Sequence, residues 1–336
     1  MSGTNRGAAG DGELPRGEAH ALALIASMLP GPPEKEVWIG DDAAVVALPT
    51  DSDRAHPDTG ARLLLTADTV VEGVHADLSL VGLDDFGFRA VTTAVSDIAA
   101  MGGTADSLLV SVAGPPMVDL RRIYEGISEA SELCRASVVG GELTTSPTLV
   151  ITVAVVGHLP GGSVPVLRSG ARPGDALFVT GPLGAAAAGL RLLRGGAIET
   201  TDEPLVRAHS RPMARLREGV AARVAGATAM IDLSDGFCAG IREMAGASGV
   251  GVQLLFTPVA DGATLNEALC GGDDYELLIA TPDAEGLTTE FREQGLTEPL
   301  FLGTCSSDPS ELVIDGHPLP DCGWEHPFDV FLRPPL

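Results

Sequence analysis

Short apolar runs bounded by Gly, Pro and Asp alternate along the chain with longer stretches of helical character. In the first half a helix is expected at Gly17–Met28 and strands near Val37–Gly40, Ala43–Leu48 and Leu63–Ala67, followed by a long helical segment from Asp84 to Met101. Strands at Ser107–Ala113 and Thr148–Gly157 flank a further helix at Val118–Arg135. Leu159–Ser163, reading Leu-Pro-Gly-Gly-Ser, is the strongest linker signal. Beyond it a strand at Gly174–Thr180 runs into Gly-Pro-Leu-Gly and an Ala-rich helix. A strand at Ala229–Leu233 then leads into a helix at Asp235–Ala247, and further strands are expected at Val252–Phe256, Tyr275–Ala280, Pro299–Gly303 and Leu312–Ile314. Strands and helices mix throughout, which predicts two α/β domains, 17–160 and 161–336, behind a Gly-rich polar tail at 1–16 expected to be disordered. No repeat of the solenoid kind is present.

Composition narrows the class of function. Aromatics make up only 4% of the chain, so the core must come from Ala, Val, Leu and Ile. The longest apolar run, Leu149–Val156, is far short of the roughly 20 residues of a membrane helix. With 21 Lys and Arg against 46 Asp and Glu, the formal net charge is −25, which argues against nucleic-acid and anionic-membrane partners. An acidic surface can serve solubility alone, or its carboxylates can gather divalent cations that carry phosphates. Cys134, Cys238, Cys270, Cys305 and Cys322 include no C-x-x-C. Neither a disulfide framework nor a zinc site is expected from them, and a reducing cytoplasm is the default location.

Five segments each set an acid beside Gly, Ser or Thr. Asp41-Asp42 follow an apolar run and Gly40, as either a solvated turn or a paired site. Asp68 interrupts the apolar strand Leu65–Val70, where an unpaired buried charge is costly, and His75 follows in Glu72–His75. Asp97 shares a helix face with Thr93, Ala94, Ala100 and Met101, a small and nearly apolar surface, so its carboxylate is either capped by a buried donor or points at a metal. Gly140-Gly141-Glu142 allows close backbone approach to something bulky. Met230–Gly236 lies where a strand turns into a helix, a place suited to phosphate oxygens, although Ser234 or Asp235 could be an ordinary N-cap. Asp232 sits inside the strand pattern, so capping does not explain it. A further loop, Cys270–Glu276, repeats the double Gly with acids. No Walker A motif is present and Lys35 is the only Lys, so metal ions and Arg must neutralise any phosphate handled here.

Together these segments resemble the thiamine-monophosphate kinase family of the AIR-synthase-like ATP-binding superfamily. The matching pieces are Gly40–Ala44, Thr66–His75, Ser96–Gly102, Gly140–Glu142, Leu167–Asp175, Val179–Gly181, Ile231–Gly236 and Gly271–Leu277, in family order over nearly the whole chain after the tail. The resemblance implies a two-domain α/β (α+β) fold of the PurM-like kind, whose N-terminal domain binds ATP and magnesium and pairs with its copy in a homodimer. It implies transfer of the γ-phosphoryl of ATP to thiamine monophosphate, with several Mg²⁺ ions. Asp42, Thr66, Asp68, Asp97, Asp232 and Asp235 match magnesium ligands, and Glu142 stands where the family usually has Asp. Of these, Asp97, Asp232 and Asp235 are the expected catalytic centre. Gly141, Arg168, Ser234 and Tyr124 match nucleotide contacts, alongside Glu142. His75, Asp273 and Trp324 match positions near the acceptor, with Trp324 a platform for a cationic thiazolium or else a packing residue. Ala67 replaces a common Ser or Thr. The rivals are another ATP-dependent enzyme of the superfamily and a nucleotide-binding homologue without turnover.

Overall fold

The computed structural model describes residues 22, 25–29, 31–33, 36–47, 62–196 and 204–326. The tail expected at 1–16, and most of the helix expected at Gly17–Met28, lie outside the described residues; 22 and 25–28 are helical. The chain divides into two units, Met1–Gly31 with Glu325–Leu336, and Pro32–Trp324. Every strand and helix named below belongs to the second.

The first sheet has five strands: β1 (Ala44–Ala47), β2 (Arg62–Val71), β3 (Thr104–Gly114), β4 (Ser137–Thr145) and β5 (Val150–Leu159), in the order β1-β2-β5-β3-β4. Only β3 and β4 run parallel; the other pairs are antiparallel. β5 alternates buried and half-buried residues along its whole length, so one face packs and the other stays open. The packed face is covered by α1 (Leu83–Ala100) and α2 (Leu120–Cys134).

The second sheet has seven strands: β6 (Ala176–Val179), β7 (Ala229–Asp232), β8 (Gly251–Leu254), β9 (Leu277–Thr281), β10 (Leu300–Ser306), β11 (Leu312–Ile314) and β12 (His317–Pro318), in the order β12-β11-β8-β10-β6-β9-β7. The helices of this half are α3 (Ala185–Arg194), α4 (Pro204–Ser210), α5 (Leu216–Val224), α6 (Phe237–Ser248), α7 (Leu265–Cys270) and α8 (Ala284–Glu293). Strand periodicity sends Leu177, Val179, Ile231 and Leu278 to a core shared with Phe237, Ile241 and Met244 of α6. Their neighbours Phe178, Met230, Leu277 and Ile279 face the other way, onto Ala221 and Ala222 of α5 and Leu287 and Phe291 of α8.

α1 belongs to both halves. Its Phe86, Val91 and Ile98 pack in the core of the first sheet, while Ala99 and Ala100 pack in that of the second. Asp84 and Asp85 in its first turn suit the positive end of the helix dipole. The remainder is buried from Phe86 to Ala100 except at Asp97. The helix approaches its neighbours almost backbone to backbone. A Cβ on Gly87 would lie 2.2 Å from the Ile123 carbonyl of α2, and one on Gly126 of α2 would lie 1.8 Å from the Asp84 carbonyl. Gly126→Ala should therefore push α1 and α2 apart and destabilise the fold by about 1–3 kcal/mol, read as a fall in Tm. An unchanged Tm would show that the two helices can separate freely.

Candidate active site

Four elements deliver acids to one place. Asp42 comes from the turn before β1, Asp68 from β2, Asp97 from the last turn of α1, and Asp232 from the end of β7. Asp42, Asp97 and Asp232 each offer a carboxylate oxygen, and these oxygens lie within 4.8 Å of one another. Side-chain donors set each one. The Thr66 hydroxyl donates to Asp97 Oδ2 at 2.5 Å, and the Ser96 hydroxyl to Asp232 Oδ2 at 2.6 Å. Arg168 Nη2 donates to Asp42 Oδ1 at 2.7 Å, its Nη1 to Glu243 Oε2 at 3.3 Å, and its backbone N–H to Asp41 Oδ1 at 3.2 Å. The Asp42 side chain is 3% exposed, and its Oδ2 has no hydrogen-bond partner.

Burial dominates the electrostatics. It pushes Asp42 and Asp97 well above the usual carboxylate range, and the charge of Asp232 pushes both further. Asp97 also sits at the negative end of its helix. Asp232 is raised to about 6 by burial, against the hydrogen bond from Ser96 and the charge of Arg168. A carboxylate group of this density, with one oxygen unpaired, fits a hard divalent cation, which prefers oxygen ligands.

A second group lies beside it. The loop after β7 and the loop after α7 are joined by backbone bonds, from Asp273 N–H to the Ser234 carbonyl at 2.7 Å and from Tyr275 N–H to the Leu233 carbonyl at 3.0 Å. Trp324 N–H donates to the Asp235 carbonyl at 2.9 Å, which brings the half-exposed indole to the same loop. The N-cap of α6 is Gly236, with no side-chain capping bond, so neither Ser234 nor Asp235 is the N-cap residue. His75 Nδ1 accepts the Val71 N–H at 3.0 Å, which leaves the proton on Nε2. Against the expectation of no disulfide, Cys270 and Cys322 are bonded, with Cα atoms 5.3 Å apart. The bond staples the loop of Asp273 to the segment that leads into Trp324.

The third group is elsewhere. Gly140-Gly141-Glu142 is not a loop but part of the edge strand β4. Gly141 has φ +153, and a Cβ there would lie 1.7 Å from the Val110 carbonyl, so the bulky neighbour it admits is β3. Thr69, Thr152, Ser111 and Glu142 form one cross-strand row. Thr69 alternates with Asp68, so this row lies on the open face, opposite the acids, and spans about 14 Å at the usual strand spacing. Within one chain Glu142 therefore does not join the carboxylates it was expected to join. Tyr124, on α2, lines a cavity of about 610 Å³ with Ile127, Arg135 and Val138 near the same edge.

Residues 40–159 match the N-terminal domain of AIR synthase related proteins, and 172–315 match the C-terminal domain. The thiamine-monophosphate kinase of Bacillus subtilis is 34% identical over 260 residues, covering 72% of this chain and 76% of that protein. That of Mycobacterium tuberculosis H37Rv is 32% identical over 283 residues, covering 82% and 81%. The solved structure of AaThiL complexed with AMPPCP and TMP superposes with a TM-score of 0.77 at 31% identity, covering 92% of this chain and 97% of that one. The chain belongs to the thiamine-monophosphate kinase family.

Sequence reasoning missed several residues of this kinase fold that shape the site. Ser96 was in view only as a neighbour of Asp97, yet it holds Asp232. Glu243 shares the Arg168 guanidinium with Asp42, while Asp41, in view only as the neighbour of Asp42, accepts the Arg168 backbone N–H. Arg89, a buried cation between Phe88 and the apolar Ala90-Val91 of α1, pairs with Asp273. That mismatch of charge and surroundings was the available signal.

The raised acids have a consequence for stability. In the cation-free protein Asp232 binds a proton up to about pH 6, whereas in the unfolded chain it releases it near 3.8. The folded state holds more protons between these values, so this group's contribution to stability falls as pH rises through the window. Asp97 shifts in the same direction. Asp97→Asn should thus raise the Tm of the cation-free protein at about pH 7.5 and hardly at all at about pH 4. Magnesium should shrink the gap. A difference in Tm between the variant and the wild type that is constant with pH would show that the acids do not repel one another.

Proposed function

We propose that the protein transfers the γ-phosphoryl group of ATP to thiamine monophosphate, giving thiamine diphosphate and ADP. The observation that carries this reading is the buried group Asp42, Asp97 and Asp232 with its unpaired oxygen. These three would hold magnesium, with Thr66, Asp68 and Asp235 at its margin. Bound there, the cations supply charge neutralisation and alignment for the phosphates of both substrates.

The chain's own side chains do the rest. A phosphate monoester has a second pKa of about 6, so the acceptor is already largely dianionic at neutral pH and asks for no general base. The difficulty is repulsion between two anions. Arg168, held by Asp42 and Glu243, can turn its guanidinium to phosphate oxygens once those acids engage cations. Ser234 and the turn after β7, which leads into the N-terminus of α6, would offer their groups to the nucleotide's phosphates. On the acceptor side, Trp324 would offer an aromatic face to a cationic ring, at the joined loops that carry Asp273, and this reading adds His75 as a third acceptor contact. The enzyme would work in the cytoplasm, where ATP is available; no described helix is long and apolar enough to cross a membrane.

The reading includes a homodimer formed through the first sheet. β4 is exposed at every position, and Val139, Leu143 and Leu109 leave apolar surface at that edge. A second copy covering this face would bury that apolar surface, and in this reading Glu142 reaches the partner's acids, since within one chain its row faces away from them.

Purified protein with Mg-ATP and thiamine monophosphate should yield thiamine diphosphate, measured directly; ATP binding without product would favour the non-catalytic homologue. Asp232→Asn should keep the fold and lower turnover by at least about 100-fold, because the charge is needed most in the transition state. Loss of Tm with an ordinary rate would mark Asp232 as structural. Complementation tests the shared site. Asp97→Asn and Glu142→Gln, each inactive alone, should regain about a quarter of wild-type activity when co-expressed, since half the dimers carry one intact site. No recovery would place Glu142 in its own chain's site or in none.

A further inference from the structure

Arg89 heads the largest side chains buried within the described residues, at 1% exposure. It stands on α1, and Arg89, Thr93, Ser96 and Asp97 share one helix face. Eight residues along an α-helix span about 12 Å. One end of that face meets the acid group, through Asp97 and through the bond from Ser96 to Asp232. The other end meets the loop after α7, where Arg89 Nη1 lies 3.0 Å from Asp273 Oδ2. Arg89 Nη2 donates to the His209 carbonyl and lies 3.3 Å from His209 Nδ1. Burial and the charge of Arg89 push His209 down to about 4, so the imidazole is neutral and brings no second positive charge.

This arrangement is poor as a stability device. Burying a guanidinium is costly, and a Met or Leu would fill the same space without that cost. Nη1 is close to Asp273 yet lacks an aligned hydrogen bond. What the pair does achieve is orientation. Asp273 has φ 68 and Tyr275 φ 49, left-handed conformations that non-Gly residues seldom adopt. Tyr275 also donates its hydroxyl to Asp273 Oδ1 at 3.3 Å. The Asp273 side chain, 32% exposed, is thus fixed at both oxygens while still reaching solvent.

We propose that Arg89 is a positioning residue for the phosphate acceptor, holding the Asp273 carboxylate at a set distance along α1 from the acid group. The pair has no net charge, so an anionic acceptor can approach a loop that would otherwise repel it. This rests on the reading of Asp273 as an acceptor contact.

The test uses the full chain as wild type, Arg89→Met, Arg89→Lys and Asp273→Asn, with KM for thiamine monophosphate, KM for ATP, and Tm. Arg89→Met should raise the acceptor KM about tenfold and leave the ATP KM within about twofold. Arg89→Lys keeps the charge but loses the second arm to His209, and should raise the acceptor KM only about threefold. In an Asp273→Asn background neither substitution should add further loss, because the partner is already gone. Equal rises for both substrates, or full additivity with Asp273→Asn, would overturn the proposal. Should Arg89→Met fail to fold, the Arg89→Lys series alone decides by the same two criteria. A wild-type protein that binds ATP but never phosphorylates thiamine monophosphate would instead overturn the functional reading, and its acceptor premise with it.

Discussion

Three carboxylates within 4.8 Å of one another repel, and the fold is arranged to withstand that repulsion. Burial alone would drive protons onto them, as the raised Asp42, Asp97 and Asp232 show. Thr66, Ser96 and Arg168 each favour an ionised form without filling the space between the acids. One oxygen of Asp42 is left unpaired for an outside partner. A cation that binds there relieves strain that the folded chain already holds. Binding and stability are therefore linked, as in any site where the ligand favours the folded state.

Such a group can be held only by elements that do not yield. α1 meets this need because it packs into the cores of both sheets. At its C-terminal end a Cβ on Gly219 of α5 would lie 2.0 Å from the Ala99 carbonyl, and Arg223 Nε donates to the Gly102 carbonyl at 2.7 Å. At its other end Arg122 and Arg211 both pair with Asp84. Asp97 has little room to move away from Asp232 without dragging one sheet past the other. The same rigidity makes the distance from Asp97 to Arg89 a fixed quantity.

The acids were legible in the sequence because each broke an apolar pattern in a place where a charge needs a reason. Asp68 within β2, Asp97 on a small-residue face and Asp232 at the end of β7 all took the positions that their neighbours predicted. β4 was not legible as a strand, because two glycines remove both alternation and side-chain bulk, and only the register with β3 restores it. The short helices α4, α5, α7 and α8 went unassigned, and α5 shows why: its Gly219, Ala221 and Ala222 are buried by tertiary contact and give almost no periodic contrast. The bond between Cys270 and Cys322 had no local signature, since the two are separated by 52 positions and meet only when the loop after α7 folds beside the C-terminal segment. Arg89 and Asp273 are likewise distant in sequence, so their pairing belongs to the fold.

The scarcity of aromatics, 4% of the chain, bears directly on the chemistry. Large side chains keep helix axes apart, whereas Gly and Ala let backbones approach closely. Gly87 against Ile123, Gly126 against Asp84, Gly219 against Ala99 and Gly184 against Ala268 all use that freedom. Each close approach removes slack that a bulkier core would take up by rotamer changes. Short side chains on close-set backbones can hold acids from β1's flank, β2, α1 and β7 within a few ångströms. A longer acid, such as Glu142, sits at an open edge, where reach matters more than fixed position. The small-residue composition that makes the sequence look featureless is thus what lets distant elements place charges accurately.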